Sequence, residues 1–570
     1  MKKIIECVPN FSEGRNKEVI NRIVEEIAAT THNGESVKML DVDPGETTNR
    51  TVVTFTGTPE VVCEAAMRGV KIAAELIDMR QHHGAHPRSG ATDVLPIVPV
   101  SGNTLEECAE IARGLAKRIY DELGIACYCY EAAAATPERR NLAVVREGEY
   151  EALPEKMLDP KRRPDFGPDT FNERVATAGA TNVSARNFLV AVNFNLNTTS
   201  SRRAMSVAFD VREKGRKARE NGSLTGKVLK DEQGNDIWLP GTLKGCKAIG
   251  WYIEDYGIAQ VSMNITDIVA TPLHVAYEEV CRAARERGLV VTGAEIVGLV
   301  PKSVLIDAGK YYLAKQQRST GIAEEEIIKI AVKSMSLDDL KPFDPREKVI
   351  EYMMEDEQQL AEEQRLVRMT VRDFAAETAS ESAAPGGGSI SAYMGALGAA
   401  LSTMVANLSA HKRGWDDRWQ EFSDVAEAGQ ALMSRLIHLV DEDTAAFNRI
   451  MNAFGMPKDT PEDKAARAAA IEAATLYATE VPLRTMKAAY EVLPLAEAMI
   501  AKGNPASVSD AGVSVLAAVA GIRGAELNVR INAGSLKDRE AADRLVAEAA
   551  AIVKSARETE ERLMANIQLD

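Results

Sequence analysis

The sequence predicts a multidomain chain: two α+β halves of ferredoxin-like βαββαβ order, then an all-α helical domain. Three observations predict it. A strand-helix-strand-strand-helix-strand order fills the first hundred residues. The same order returns between about residues 187 and 298. After about residue 370, helical patterns rich in Ala, Leu, Met and Glu replace the strands. A chain of 570 residues is also too long for one hydrophobic core. The expected boundaries are 1–182, 183–330, a charged helical linker at 331–369, and 370–570.

The elements follow in order. "KKIIECV" alternates as a strand, 16–29 is an amphipathic helix, and "VKMLDVD" and "RTVVTFTG" are strands. Helix 59–77 and strand "VLPIVPV" close the first set, and helix 104–122 and strand "IACYCY" extend it. The second set runs from strand "NFLVAVNFN" through helix 199–217 to strands "CKAIGWYIE" and "IAQVSMNIT". Helix 272–287 and strand "LVVTGAEIVG" complete it. Between the sets, "RRPDFGPDTFNERVATAGATNVSARN" is rich in turn formers and reads as a long binding loop.

A formal charge of −16 argues against nonspecific nucleic-acid binding, while leaving room for local basic pockets. The seven cysteines are scattered, with none beyond residue 281, which suits reduced thiols better than a disulfide framework. The N-terminus lacks a signal-peptide h-region, and no uninterrupted apolar run reaches about 18 residues. These features lead us to expect a cytoplasmic protein without a membrane span.

Three of the seven histidines fall in "RQHHGAHPRSGATDV", at His82, His83 and His86. A zinc site is disfavoured, because neither a Cys pair nor an HExxH helix accompanies them. A polar surface loop and a general acid/base held by the constrained "AHPRSG" backbone both stay open. Asp43, closing the strand "MLDVD", is placed to orient an imidazole, and Arg88 offers a carboxylate clamp.

In the helical part, "SAAPGGGSISAYM" is either a flexible lead-in or a close approach of backbone to a ligand. In the second reading Gly386, Gly387, Gly388 and Ser389 offer N–H groups to an anion at a helix start. Further on, Leu432, Leu436, Val440, Asp443, Phe447, Ile450 and Phe454 follow spacings of three and four. Asp443 therefore lies on an apolar stripe and Asp441 off it. A carboxylate there is either a partner to a buried polar group or a reacting group. A second stripe runs Asp510, Ser514, Ala517, Gly521, Gly524 and Asn528, with Asn532 one turn on. It is read as close helix packing, or as a surface whose polar members Asp510, Asn528 and Asn532 face a planar ligand.

"ECVPNFSEGR", "LDVDPGETTNRTVVTF", "GAHPRSGATDVLPIVPV" and "PDFGPDTF" together resemble the formimidoyltransferase domain of the formimidoyltransferase-cyclodeaminase family. "SAAPGGGSISAYMGALGAAL" and "LVDEDTAAF" resemble its cyclodeaminase domain, in the same order along the chain. The resemblance implies a bifunctional folate enzyme of histidine degradation. It would move the formimino group of N-formimidoyl-L-glutamate to N5 of tetrahydrofolate, then form 5,10-methenyltetrahydrofolate and ammonia.

By the same resemblance, His86 is the transferase acid/base, Asp43 lies near it and Asp443 is the cyclodeaminase carboxylate. The folate-binding segment falls on Gly167, Pro168, Asp169, Thr170, Phe171, Asn172, Glu173, Arg174, Val175 and Ala176. His82 and His83 fall outside the recognised core and read as supporting or structural. Tetrahydrofolate, in some forms polyglutamylated, is a substrate carrier, and neither a tightly bound cofactor nor a metal is implied. The family forms ring-like homo-oligomers, commonly octamers, and Arg50, Arg174 and Arg186 are candidates for a basic path between sites. Two rival readings are a formyl- rather than formimidoyl-transferring first half, and a folate-binding scaffold with degenerate sites.

Overall fold

The computed structural model describes residues 3–46, 48–84, 87–222, 226–354 and 364–567. They divide into two compact units, one of residues up to 305 with 335–354, the other of 306–334 with 364–567.

The first unit opens with β1 (Ile4–Cys7), β2 (Asn10–Phe11) and α1 (Lys17–Ala28). The Asn16 side chain caps α1 by accepting from the N–H groups of Glu18 and Val19, and Ile20, Ile23 and Ile27 form its buried face. A hairpin of β3 (Lys38–Gly45) and β4 (Arg50–Gly57) leads to α2 (Pro59–Leu76), whose first residue is the proline that position tolerates. Next come β5 (Thr92–Ser101), α3 (Leu105–Leu123) and β6 (Ala126–Glu131). α3 starts in a Thr104/Glu107 capping box and stops at left-handed Gly124.

The stretch expected to be a loop contains two elements instead: α4 (Glu173–Ala178) and β7 (Ala180–Ala185). β7 sits between β5 and β6 and pairs with both in parallel. Every residue of "ATNVSA" is buried. A strand covered on both faces shows no polar/apolar alternation, and these small residues give no apolar run either. The completed sheet has seven strands: β3 pairs with β4, β1 and β2 each pair with both β4 and β5, and β7 joins β5 to β6. Ile5, Phe11, Phe55, Leu95 and Ile97 are fully buried under its helices, each worth about 1.5–3 kcal/mol.

The second set gives β8 (Val190–Leu196), α5 (Ser201–Val211), β9 (Cys246–Ile253), β10 (Ile258–Ile265), α6 (Leu273–Arg285) and β11 (Val291–Val297). These strands make an antiparallel sheet in the order β9-β10-β8-β11. α5 ends six residues earlier than its periodicity suggests. Arg212 turns extended, and Arg216–Lys217 pairs with Trp238–Leu239 as a small hairpin. Residues 335–354 pack onto this unit, where Ile350 is buried with Val98 and Phe188.

In the second unit, α7 (Gly387–Ala410), α8 (Trp419–Phe454), α9 (Pro461–Tyr490), α10 (Val492–Lys502), α11 (Val508–Gly534) and α12 (Arg539–Met564) form a bundle. No strand occurs among its described residues. By length and composition, Gly387–Ala410 and Pro505–Gly534 are apolar enough to cross a membrane, although their windows are 61% and 50% buried within the bundle. Interrupted apolar stretches hid this from a search for unbroken runs.

The α8 stripe holds for Leu432, Leu436 and Val440, which are buried. It fails further on, where Phe447 and Phe454 are 40% and 49% exposed. Asp441, off the stripe, is nevertheless buried. Its carboxylate accepts from the backbone N–H groups of Leu366 (2.8 Å) and Val367 (3.3 Å), a partner segment invisible to helical periodicity.

Candidate active sites

The histidine turn follows α2 and leads into β5. Ala85 and His86 lie outside the described residues, but both flanks of the turn are anchored. Asn49, at the tip of the β3–β4 hairpin, donates its amide to the His83 carbonyl at 3.0 Å. Gly84 presses on the same tip, and a Cβ there would sit 2.3 Å from the Thr48 carbonyl oxygen.

His82 is buried, with Nε2 3.0 Å from the Asn49 carbonyl oxygen and Nδ1 3.4 Å from Arg88 Nε. Nε2 must therefore carry the hydrogen and Nδ1 must accept, which fixes a neutral imidazole. Burial, aided by the Arg88 charge, pulls the pKa of His82 down, while the Asn49 bond partly opposes it. Folding thus excludes a proton that the unfolded chain takes up below about pH 6.5, so the stability tied to His82 is lost as pH falls through that range. Urea midpoints measured between about pH 7.5 and 5.5 are expected to decline less steeply in His82→Gln than in the parent chain.

Arg88 corrects an expectation. Its Nε bonds His82 Nδ1, one terminal nitrogen bonds Glu149 (3.1 Å) and Glu151 (2.8 Å), and the other bonds Glu151 (2.6 Å) and the His82 carbonyl (3.3 Å). All five guanidinium hydrogens are used, so none is left to clamp a substrate carboxylate. Glu149 holds φ 57° and ψ −152°, a region nearly reserved for glycine, at a cost of order 1–3 kcal/mol that the Arg88 pairs help offset. A lysine cannot reproduce this fan. Arg88→Lys is expected to lower unfolding stability by about 2 kcal/mol in urea titrations.

Tyr150, which sequence reasoning missed, ties the turn to the expected folate segment. Its N–H donates to the Arg88 carbonyl at 2.9 Å and its hydroxyl to the Ala176 carbonyl at 2.6 Å, and its ring meets Phe171 edge-on at 6.5 Å. The exit of the turn is also laced to the end of α4, as Ala91 N–H donates to the Ala178 carbonyl and Ala180 N–H to that of Ser89.

The segment 167–176 is not uniformly available to a ligand. Gly167 packs against Pro164, and Pro168 follows it in the same loop. Asp169 pairs with Arg163, Thr170 is exposed, Asn172 caps α4, and Glu173 pairs with Arg80. Two residues are committed elsewhere: Val175 is fully buried, and the Arg174 guanidinium bonds the Leu123 carbonyl (3.0 Å) and that of Ala74 (3.5 Å).

Asp43 is exposed on β3, two residues back from the hairpin end, opposite Val52 and on the same face as Arg50. Asp93, inside the histidine-rich stretch but not singled out there, is buried. It accepts from Ser89 N–H (2.8 Å) and Arg146 (2.5 Å), and its negative charge reaches Arg50. Glu6 on β1 is a second missed carboxyl, pushed up to about 7 by burial with Arg186 opposing. Alternation marks a strand such as "KKIIECV" but not which of its polar residues the chain then covers.

The second cluster lies at the start of α7. Gly386 is the N-cap, Gly387 is exposed, and Gly388 and Ser389 are buried. A Cβ on Gly388 would stand 2.1 Å from Asp443 Oδ1, so only glycine lets the carboxylate lie against this first turn. Ser389 donates its hydroxyl to the Val440 carbonyl (2.8 Å) and to Asp443 Oδ2 (3.3 Å), and its N–H also bonds Asp443. The anion at this helix start is therefore the chain's own Asp443. Burial raises the Asp443 carboxyl above its usual range against the pull of those bonds.

Asn528 joins the cluster, its amide nitrogen 3.3 Å from a Cβ built on Gly387. Asn532 is held by the Ala478 carbonyl at 2.7 Å. Asp510 is not part of the cluster, because the length of α11 between it and Asn528 is roughly 27 Å at 1.5 Å per residue. The small residues of that stripe do the packing expected of them: a Cβ on Gly521 would meet the Ser391 carbonyl oxygen at 2.7 Å. No group of three or more metal-ligating side chains occurs among the described residues.

The α/β unit thus carries a cluster of ionisable groups around the histidine turn and the helical unit a buried carboxylate at a helix start, the features of an enzyme class with more than one site. Family models agree segment by segment: "Formiminotransferase domain, N-terminal subdomain" matches residues 4–186, "Formiminotransferase domain" 191–355, and "Formiminotransferase-cyclodeaminase" 370–551. The chain is 41% identical to the formimidoyltransferase-cyclodeaminase of Sus scrofa over 94% of both chains. It is 42% identical to the glutamate formimidoyltransferase of Streptococcus pyogenes, over 55% of this chain and 94% of that one. It is 40% identical to the methenyltetrahydrofolate cyclohydrolase of Methylorubrum extorquens, over 35% of this chain and 96% of that one. The chain belongs to the formimidoyltransferase-cyclodeaminase family.

Proposed function

We propose that the chain catalyses two successive steps on reduced folate: formimino transfer from N-formimidoyl-L-glutamate to N5 of tetrahydrofolate, then cyclodeamination to 5,10-methenyltetrahydrofolate and ammonia. The observation that carries this reading is the near-full-length match to a two-activity relative. In the first step N5 attacks the amidine carbon, and His86 takes the N5 proton. His86 then hands a proton to the glutamate nitrogen as the bond from carbon to that nitrogen breaks. Asp43 supports the charge on His86, and Phe171 and its neighbours in the segment 167–176 hold the folate.

In the second step N10 of the formimidoyl amidinium closes a five-membered ring onto the formimino carbon. Asp443 accepts the N10 proton and passes it to the amino nitrogen, which leaves as ammonia and leaves the methenyl cation. A carboxyl raised by burial holds that proton between the two transfers more readily than a solvated one. Gly386, Gly387, Ser389, Asn528 and Asn532 form the surrounding pocket wall.

In our reading tetrahydrofolate is a carrier substrate, and no tightly bound cofactor takes part. The protein works in the cytoplasm as a homo-oligomer, with an octamer the expected form, and binds neither nucleic acid nor membrane. Arg50, Arg174 and Arg186 are the candidates for a basic path along which the folate tail passes. Both α/β halves are read as ferredoxin-like, a reading supported by the order β9-β10-β8-β11. The domain division 1–182, 183–330, 331–369 and 370–570 is part of the same proposal.

Incubation with N-formimidoyl-L-glutamate and tetrahydrofolate is expected to give methenyl product and ammonia in equal amounts. A formyl product without ammonia would overturn the reading.

A further inference from the structure

A basic cavity lies on the second α/β half, and none of its lining residues belongs to the clusters described above. It has a volume of about 850 Å³, within the usual range for small-molecule sites. Of its fourteen lining residues seven are basic and none is acidic, in a chain of net charge −16. α5 contributes Arg202, Ser206 and Phe209 at helical spacing, and the small hairpin adds Arg216, Lys217 and Trp238.

The way these cations are held is informative. Asp210 pairs with both Arg216 and Arg287, placing two guanidiniums side by side around one carboxylate. Arg212 is fixed by the Gly215 (3.0 Å) and Ala248 (3.2 Å) carbonyls, and Arg219 by the Gly226 carbonyl (2.7 Å). Carbonyls orient a guanidinium without cancelling its charge. Among the described residues, Arg202, Arg212 and Arg219 form no ion pair with a carboxylate. Crowding like charges in a concavity is unfavourable unless an anion offsets them. Preset guanidinium forks match phosphate and carboxylate groups.

We infer that this cavity is a binding site for a small, multiply charged anion, a phosphate ester or a polycarboxylate, and that it shares no residue with either reaction centre. Trp238 lines the cavity and reports on its occupancy.

The test is calorimetric titration of the full chain with pyrophosphate and, separately, with citrate, alongside Trp238 fluorescence. At least one anion is expected to bind saturably in the micromolar range. The affinity should fall about tenfold or more in Arg202→Gln/Arg219→Gln, and the fluorescence change should vanish in Trp238→Phe. Arg202 is exposed on a helix surface, so Arg202→Gln alone serves as the variant least able to disturb folding, with a loss of about threefold expected. Stronger binding of pyrophosphate assigns the phosphate source, and stronger binding of citrate the polycarboxylate source. The inference is overturned if neither anion binds below about 1 mM, or if the variants bind as tightly as the parent.

Discussion

Asp443→Asn is expected to slow ammonia release from 5-formimidoyltetrahydrofolate by about two to four orders of magnitude, the usual worth of a positioned proton-transfer group. Formimino transfer by the same protein should be unchanged, which makes it an internal control for folding. Asparagine keeps the shape of the side chain and can still accept from Ser389, so the loss would report on proton transfer rather than on packing. Gly388→Ala asks the same question from the other side. The added methyl would stand 2.1 Å from Asp443 Oδ1 and 2.5 Å from its carboxyl carbon, so the carboxylate must move. A misplaced catalytic group costs about 100-fold per ångström in unfavourable cases, and Gly388→Ala should approach the loss seen in Asp443→Asn. Unchanged ammonia release in both variants would remove Asp443 from the mechanism.

His86→Ala is expected to produce the mirror result. Transfer from N-formimidoyl-L-glutamate should fall by about two to four orders of magnitude, and cyclodeamination of supplied 5-formimidoyltetrahydrofolate should persist. Both flanks of the turn are fixed by their own bonds. Before it, the His83 carbonyl is bound by Asn49; after it, Arg88 spends every donor on His82, Glu149 and Glu151. His82, itself buried, cannot substitute, because both its ring nitrogens are already engaged. Near-normal transfer in a folded His86→Ala protein would return the turn to a structural role.

The strands and helices with clear alternation or helical spacing were legible in the sequence, whereas caps such as Asn16 and Thr104 appear only in the folded chain. β7 was not, because a strand buried on both faces and made of small residues shows neither alternation nor an apolar run. The candidate site was legible where a residue type is costly in its pattern, as with Asp443 on an apolar stripe. It was not legible where the partner is remote in sequence. Asp441 is buried by Leu366 and Val367, Arg88 is consumed by Glu149 and Glu151, and Tyr150 bridges two motifs it belongs to neither of. The glycine run illustrates both sides. Its composition left a flexible lead-in and a close approach both open, and only the folded chain shows that Gly388 makes room for Asp443.

The central claim is that one chain holds two independent proton-handling centres acting in sequence. Mixing equal amounts of His86→Ala and Asp443→Asn protein with N-formimidoyl-L-glutamate and tetrahydrofolate tests it most directly. Alone, His86→Ala should leave both substrates unconsumed and Asp443→Asn should accumulate 5-formimidoyltetrahydrofolate. Together they should restore methenyl product and ammonia as the intermediate passes from one protein to the other. A mixture as inactive as its parts, or either variant losing both steps, would contradict the account.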